Sequence, residues 1–102
     1  MGKISVIIPT HNRADLLPRA IKSVQDQTRA VDEIIVVSDG STDNTEETVK
    51  KIAEQDSRIQ LIAYYPGHNG NYARNRGIEA ATGEFIAFLD DDDEWLPRKT
   101  EL

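Results

Sequence analysis

The sequence predicts an α/β fold, a three-layer sandwich in which helices cover both faces of a mostly parallel sheet. Two observations carry that expectation. Four short apolar runs recur, at residues 4–8 (ISVII), 34–37 (IIVV), 59–64 (IQLIAY) and 85–89 (FIAFL). Runs apolar on both faces read as buried strands of a parallel sheet. The segments between them carry helical periodicity, so the order is βαβαβαβ, which implies right-handed crossovers. A chain of 102 residues holds one small domain.

Each element has its own reason. The first strand is rich in β-branched residues and stops at Pro9, which cannot donate to a sheet ladder. In the first helix Leu17, Ala20, Ile21 and Val24 recur on one face, and Pro18 is tolerated because it lies in the first turn. Asp43, followed three residues later by Glu46, forms a capping-box pattern that opens a second helix with Val49, Ile52 and Ala53 inward. A third helix is expected from about Tyr72 to Ala81. Thr82-Gly83 closes it, with the glycine as a left-handed C-cap.

Composition narrows the function. The 38% hydrophobic content supports a packed core, and a net charge of -6 without a Lys/Arg cluster argues against nucleic acid as a partner. The absence of cysteine excludes disulfides, thiolate zinc sites and cysteine nucleophiles, and fits a reducing compartment. No apolar run approaches the roughly 20 residues that span a bilayer, and the N-terminus lacks a signal peptide's apolar core. A cytoplasmic location is expected, at the inner membrane face if a longer parent protein carries membrane segments.

A parallel α/β sheet places its ligands outside the carboxyl ends of its strands. The unusual residues collect there: Pro9-Thr10-His11-Asn12-Arg13, Ser38-Asp39-Gly40-Ser41, residues 67–74, and the run Asp90, Asp91, Asp92, Asp93. Carboxylates spaced Asp-x-Asp can share one hard cation, since Mg2+, Mn2+ and Ca2+ prefer oxygen ligands. The plainer reading is a solvated acidic turn that caps a following helix. Asp39 suits a base or ribose contact, or else a turn, with Asp43 as a helix cap. Arg74 or Arg76 is placed to meet phosphate, with Arg76 the better candidate for a plain surface residue. Arg13 is a phosphate or base contact or a surface residue. His11 and His68 lack zinc-site spacing and read as polar loop residues. Trp95 anchors the turn after the aspartates against the core.

Taken together, SVIIPTHNR (5–13), EIIVVSDGSTDNT (33–45) and NGNYARNRGIEAATGEFIAFLDDDDEWLP (69–97) resemble the N-terminal half of a family 2 glycosyltransferase. These are nucleotide-sugar enzymes with the Rossmann-like GT-A fold. The resemblance implies that residues 1–102 form the nucleotide-sugar-binding half of such a domain. Pro9, Thr10 and Arg13 would line the donor pocket, and Asp39 would bind the uracil of a UDP-type donor. Arg74 would lie near the diphosphate or base. The family's Asp-x-Asp pattern falls on Asp90-Asp91-Asp92. Asp92 would be the direct ligand of Mn2+ or Mg2+ with Asp90 beside it, Asp91 would lie nearest the ribose or sugar, and Asp93 would either support the metal ligands from behind or face solvent.

The implied reaction transfers a sugar from a nucleotide-sugar donor to an acceptor hydroxyl with inversion, on a glycan, lipid or protein. The cation would stabilise the leaving diphosphate while a base deprotonates the acceptor. Two departures stand out. Ser38 occupies a position where relatives often carry Asp or Asn, keeping hydrogen bonding but dropping a charge. The acceptor half and its catalytic base are expected beyond Leu102, so this chain is expected to bind donor and metal without transferring sugar. A sheet ending at its fourth strand would also leave an apolar edge open to self-association.

Two other classes compete. One is a non-catalytic nucleotide- and metal-binding module. The other is a Mg2+-dependent phosphotransfer domain, against which the first strand's ending in Pro9-Thr10-His11 without an Asp counts. A nucleotidyltransferase would need a Gly-rich basic loop after the first strand, which is missing.

Overall fold

The computed structural model describes residues 2–101. Strands β1 (Ile4–Thr10), β2 (Glu33–Asp39), β3 (Ile59–Tyr64) and β4 (Phe85–Phe88) alternate with helices α1 (Leu17–Gln25), α2 (Thr45–Ala53) and α3 (Gly70–Ala80). A short 3-10 turn, Lys99–Glu101, follows. All the strands pair in parallel, in the order β3-β2-β1-β4. The expected α/β sandwich with βαβαβαβ order is therefore the architecture found.

Alternation along the central strands builds two cores. Val6, Ile8, Ile34 and Val36 face α1 and α2, where Leu17, Ala20, Ile21, Val24 and Val49 complete the packing. Ile7, Ile35 and Val37 face α3 through Ala73. The stripe predicted for α1 is fully buried, and of the α2 face Val49 is buried while Ile52 and Ala53 pack at its margin. Trp95 packs against the same core, as its anchoring role requires.

The structure corrects four local expectations. Only β1 and β2 are buried on both faces. β3 and β4 are edges, and Phe85, Ile86 and Phe88 leave 58%, 40% and 43% of their surface exposed. An apolar run reports affinity for a core, not its place in the sheet order.

Strand β1 continues through Pro9 to Thr10. The carbonyl of Ile7 accepts the Leu89 N–H on the β4 side. Backbone groups two residues apart point the same way, so the missing N–H of Pro9 faces past the end of β4, where no ladder bond is lost.

The pair Asp43 and Glu46 forms no capping box. Asp43 accepts the Thr45 N–H at 2.9 Å and the Thr45 hydroxyl, whereas Glu46 receives the Tyr65 hydroxyl. Finally, α3 begins at Gly70, because the Asn69 side chain caps it by accepting the Tyr72 N–H at 2.8 Å. It ends with Ala81 turning extended, and Gly83 is not left-handed. Glycine is needed at 83 for space, since a Cβ would collide with Ser5 Oγ and lie 2.9 Å from the Lys3 carbonyl oxygen.

Candidate functional site

β2 and β3 lie on one side of β1 and β4 on the other, so the direction of winding reverses at β1. Such a switch point opens a crevice in doubly wound sheets. A cleft of about 380 Å³ lies there. Its wall comprises Pro9 and Thr10 at the end of β1 with His11 and Arg13 just beyond, Asp39 at the end of β2, Gly70, Ala73 and Arg74 of α3, and Asp90, Asp91 and Asp92 after β4. Pro9, Thr10, Arg13, Asp39, Arg74, Asp90, Asp91 and Asp92, expected from the sequence at the site, all reach this wall.

The aspartates are not equivalent. Asp91, with 14% of its side chain exposed, accepts the Thr10 hydroxyl at 2.8 Å and the His11 N–H at 3.4 Å through Oδ2. Arg13 Nε stands 3.9 Å from its Oδ1. Asp91 thus ties the β1 loop to the β4 loop. Asp90 is far more open, and Arg74 Nη2 stands 3.6 Å from its Oδ1. Asp92 is held only by its main chain, whose carbonyl accepts Arg19 Nη2 at 3.0 Å. Among the described residues its carboxylate has neither hydrogen bond nor ion pair. Asp93 turns back on its own loop, outside the cleft wall, accepting the Glu94 N–H at 2.8 Å. Arginines from three places in the fold therefore meet the acidic run, which explains how adjacent carboxylates are tolerated.

The loops after β1 and β2 are stitched together. Asn12, at φ 51°, accepts the Thr42 N–H at 2.7 Å and donates its own N–H to Ser41 Oγ at 3.1 Å. Its left-handed backbone is one that asparagine tolerates. Gly40 adopts φ 68°, and a Cβ there would lie 2.5 Å from the Gly67 nitrogen. The close approach of these two turns lets Asp39 Oδ1 accept the His68 N–H at 2.8 Å. Tyr64 is paired in register with Asp39, and its hydroxyl is buried without a hydrogen-bond partner among the described residues. Burial first, then the nearby Asp39 carboxylate, raise its pKa and keep the phenol neutral. Arg76 packs 5.5 Å from the Tyr64 ring centroid, and His68 stacks on Tyr72. Arg76 thus supports an aromatic stack beside the cleft and is absent from the cleft wall.

Two residues behave differently from expectation. Ser38 does not keep its hydrogen bonding, because its hydroxyl is buried with no partner among the described residues. His11 is a wall residue rather than a bystander. Its Nδ1 lies 2.7 Å from the Asp39 carbonyl oxygen, an acceptor, so Nδ1–H donates to it. The signal was its position between Thr10 and Arg13 at a strand end. Gly70 and Ala73, also in the wall, fall in the segment 67–74 expected at the rim, where nothing in the sequence singles them out.

Among the described residues no group of three or more His, Cys, Asp or Glu is poised to hold a metal as a protein-only cage. The donor chemistry nonetheless suits a hard cation of another kind. Asp90 and Asp92 offer carboxylate oxygens to an open cleft, and Mg2+ in particular binds through one or two carboxylates plus substrate phosphates and water. A second concavity of about 280 Å³ lies beside β4, lined by Ile4, Phe85, Ile86 and Trp95 with Arg29 and Lys99. It is apolar and away from the switch point, so the polar cleft is the candidate site.

Fold and cleft define an α/β domain with a polar cleft at the topological switch point of its sheet. The chain belongs to glycosyl transferase family 2, whose model matches residues 5–102. It is 48% identical over 99 residues to the GalNAc(5)-diNAcBac-PP-undecaprenol beta-1,3-glucosyltransferase of Campylobacter jejuni, covering 94% of this chain and 31% of that protein. It is 39% identical to the Escherichia coli UDP-Glc:alpha-D-GlcNAc-diphosphoundecaprenol beta-1,3-glucosyltransferase WfgD, covering 97% of this chain and 38% of that one. The fold matches the mannosyltransferase PcManGT of Pyrobaculum calidifontis, solved with GDP-Man and Mn2+, with a TM-score of 0.89 and 30% identity over 98% of this chain and 30% of that one. It also matches S. aureus TarS in complex with UDP, with a TM-score of 0.87 and 29% identity over 97% of this chain and 30% of that one. The expected GT-A type is thus the fold observed. The chain spans about a third of the length of these relatives.

Proposed function

We propose that this chain is the donor-binding part of a glycosyltransferase. The reaction moves a sugar from a nucleotide-diphosphate donor, UDP-type first, to an acceptor hydroxyl with inversion and with the help of Mn2+ or Mg2+. The observation that carries the reading is the unpartnered Asp92 carboxylate, which shares one cleft with Asp90, Asp39, Arg13 and Arg74. The donors in the solved relatives, GDP-Man with Mn2+ and UDP, support it.

In this reading Asp39 accepts a hydrogen bond from the base through the carboxylate oxygen that His68 leaves available. Pro9 and Thr10 form the wall against which the nucleoside lies. Arg74 and Arg13 exchange their loose contacts with Asp90 and Asp91 for the diphosphate, which guanidinium groups bind in a fork. Asp91, steadied by Thr10, presents Oδ1 to the ribose or sugar. Asp92 and Asp90 hold the cation, which when bound stabilises the charge developing on the leaving diphosphate.

Each cleft carboxylate then has a donor-side role, so the base that deprotonates the acceptor is assigned to a part of the enzyme beyond these 102 residues. The chain is expected to bind donor without turnover. The acceptor is a glycan, lipid or protein hydroxyl. The undecaprenol-linked acceptors named for the two curated relatives favour a cytoplasmic enzyme working at a membrane face. Copies are further expected to associate through the open edge of β4, where Phe85, Ile86 and Phe88 are exposed. Sedimentation equilibrium giving a clean monomer at high concentration would remove that element.

Calorimetric titration of UDP and GDP, each with and without Mn2+, tests the main reading. Binding of a nucleoside diphosphate that tightens with Mn2+ is the expected result. Failure of both nucleotides to bind overturns it.

A further inference from the structure

We infer that helix α1 positions the acidic turn, with Arg19 as the positioning residue that aims the Asp92 carboxylate into the cleft. The inference rests on the reading of Asp92 as a metal ligand and adds a residue that lies outside the cleft wall. Arg19, Ser23 and Gln27 are spaced four apart, so Arg19 and Ser23 share a face of α1 and Gln27 continues it just past the helix end. That stripe meets the segment following β4 step by step.

Arg19 Nη2 donates to the Asp92 carbonyl at 3.0 Å, and its Nε stands 3.8 Å from Glu94 Oε1. Ser23 Oγ accepts the Trp95 N–H at 3.0 Å while donating to the Ala20 carbonyl at 2.7 Å. Gln27 Nε2 donates to the Leu96 carbonyl at 2.7 Å, and its Oε1 accepts the Thr100 N–H at 2.9 Å. The opposite side of the helix is locked into the core by Leu17, Ala20, Ile21 and Val24. A rigid helix therefore serves as the template along which the loop is laid.

Within this ladder the steps divide the work. Ser23 and Gln27 are neutral, and they fix the loop from Trp95 onward. Arg19 alone reaches the turn that holds the carboxylates. Neighbouring like charges favour opening that turn. Gripping it by a main-chain carbonyl restrains it while leaving the Asp92 carboxylate free, which a direct ion pair would not do. Groups that orient a metal ligand without touching the metal commonly change metal affinity by roughly 10- to 100-fold.

The test compares the 102-residue chain with R19A, R19K and a same-helix control, K22A. Readouts are UDP affinity with and without Mn2+, Tm, and the fluorescence of Trp95, the lone tryptophan. R19A is expected to weaken Mn2+-supported UDP binding about 10-fold. Metal-free UDP affinity, Tm and Trp95 emission should stay close to wild type, because Ser23 and Gln27 still hold the downstream loop. R19K should recover part of the loss, since an ammonium donates to one carbonyl but does not also span to Glu94. K22A should match wild type. R19A binding UDP as wild type does in Mn2+, or losing affinity equally with and without it, overturns the inference and leaves the reading of Asp92 standing. A wild-type chain that gains nothing from Mn2+ overturns that reading, and this inference with it.

Discussion

At the amino end of the sheet, Arg58 grips Asp56 with Nη2 at 2.7 Å and Nε at 2.9 Å, and Gln25 adds a third donor at 3.1 Å. At the carboxyl end, Arg74 and Arg13 stand 3.6 and 3.9 Å from Asp90 and Asp91, and the Asp92 carboxylate has no partner among the described residues. Both ends mix carboxylates with guanidinium groups, yet the geometries differ in kind. The amino-end pair is bidentate and shielded, so Arg58 holds the Asp56 carboxyl well below the usual carboxylate range. Glu33, nearby on β2, is pushed up by its burial, but the Ser5 hydroxyl and the Thr82 N–H and hydroxyl outweigh that and leave it lowered. These are closed arrangements, and the Ser5–Glu33 bond joins β1 to β2. Loosely paired charges such as those of the cleft contribute little to stability. At the amino end charge is satisfied at short range, whereas in the cleft the arginine–carboxylate contacts are long.

The sharpest way to break this contrast is to remove the open carboxylate. D92N should abolish the gain in UDP affinity from Mn2+, by roughly 100-fold if a direct ligand matters at least as much as an orienting group, without lowering Tm. A fall in Tm with binding intact would invert the assignment of the two ends.

The reverse experiment comes next. D56A strands Arg58 and should cost roughly 2 kcal/mol, as hydrogen bonds to charged groups do. For a domain of this size that lowers Tm by roughly 10 °C, while UDP affinity in the folded protein stays as in wild type.

Acid should expose the same asymmetry. The folded pKa of Asp56 lies below its unfolded value, so the stability it contributes is fully present at neutral pH. That contribution is lost as pH falls from the ordinary carboxylate range, about 4, toward the depressed folded value. Glu33 and Asp43, the latter lowered chiefly by the Thr45 hydroxyl, act in the same direction. Urea midpoints of wild type and D56N should differ most at neutral pH and converge in acid. Parallel curves would remove Asp56 from the acid-labile set.

The smallest effect is expected at Tyr64. Its buried hydroxyl has no partner among the described residues, so Y64F should leave stability unchanged or slightly raised. A clear loss would show that the hydroxyl bonds to Asp39 in solution.

Much of the fold was legible because burial is written in local periodicity. The stripe Leu17, Ala20, Ile21, Val24 needed only helical spacing, and residues 59–64 needed only a short apolar run between turn formers. The loops that would carry the site followed too, since a parallel α/β order sends every strand's carboxyl end to one rim. Illegible were features set by a neighbour distant in sequence. Position alone suggests a left-handed cap at Gly83, whereas its real constraint is Ser5, far earlier in the chain. Glu46 looked like a capping partner until Tyr65 claimed it.

The chain's residues alone therefore specify the order of elements, the inward face of α1, the strands' appetite for a core and the polar character of each turn. Folding in three dimensions adds which strands become edges, that β4 returns beside β1 to open the cleft, and which of four adjacent aspartates has a carboxylate without a partner among the described residues. The reason is range. Spacing along the chain encodes contacts within a helix turn or a strand, whereas Thr10 and Asp91, bonded at 2.8 Å, lie 81 residues apart. Only the sheet order brings such partners together.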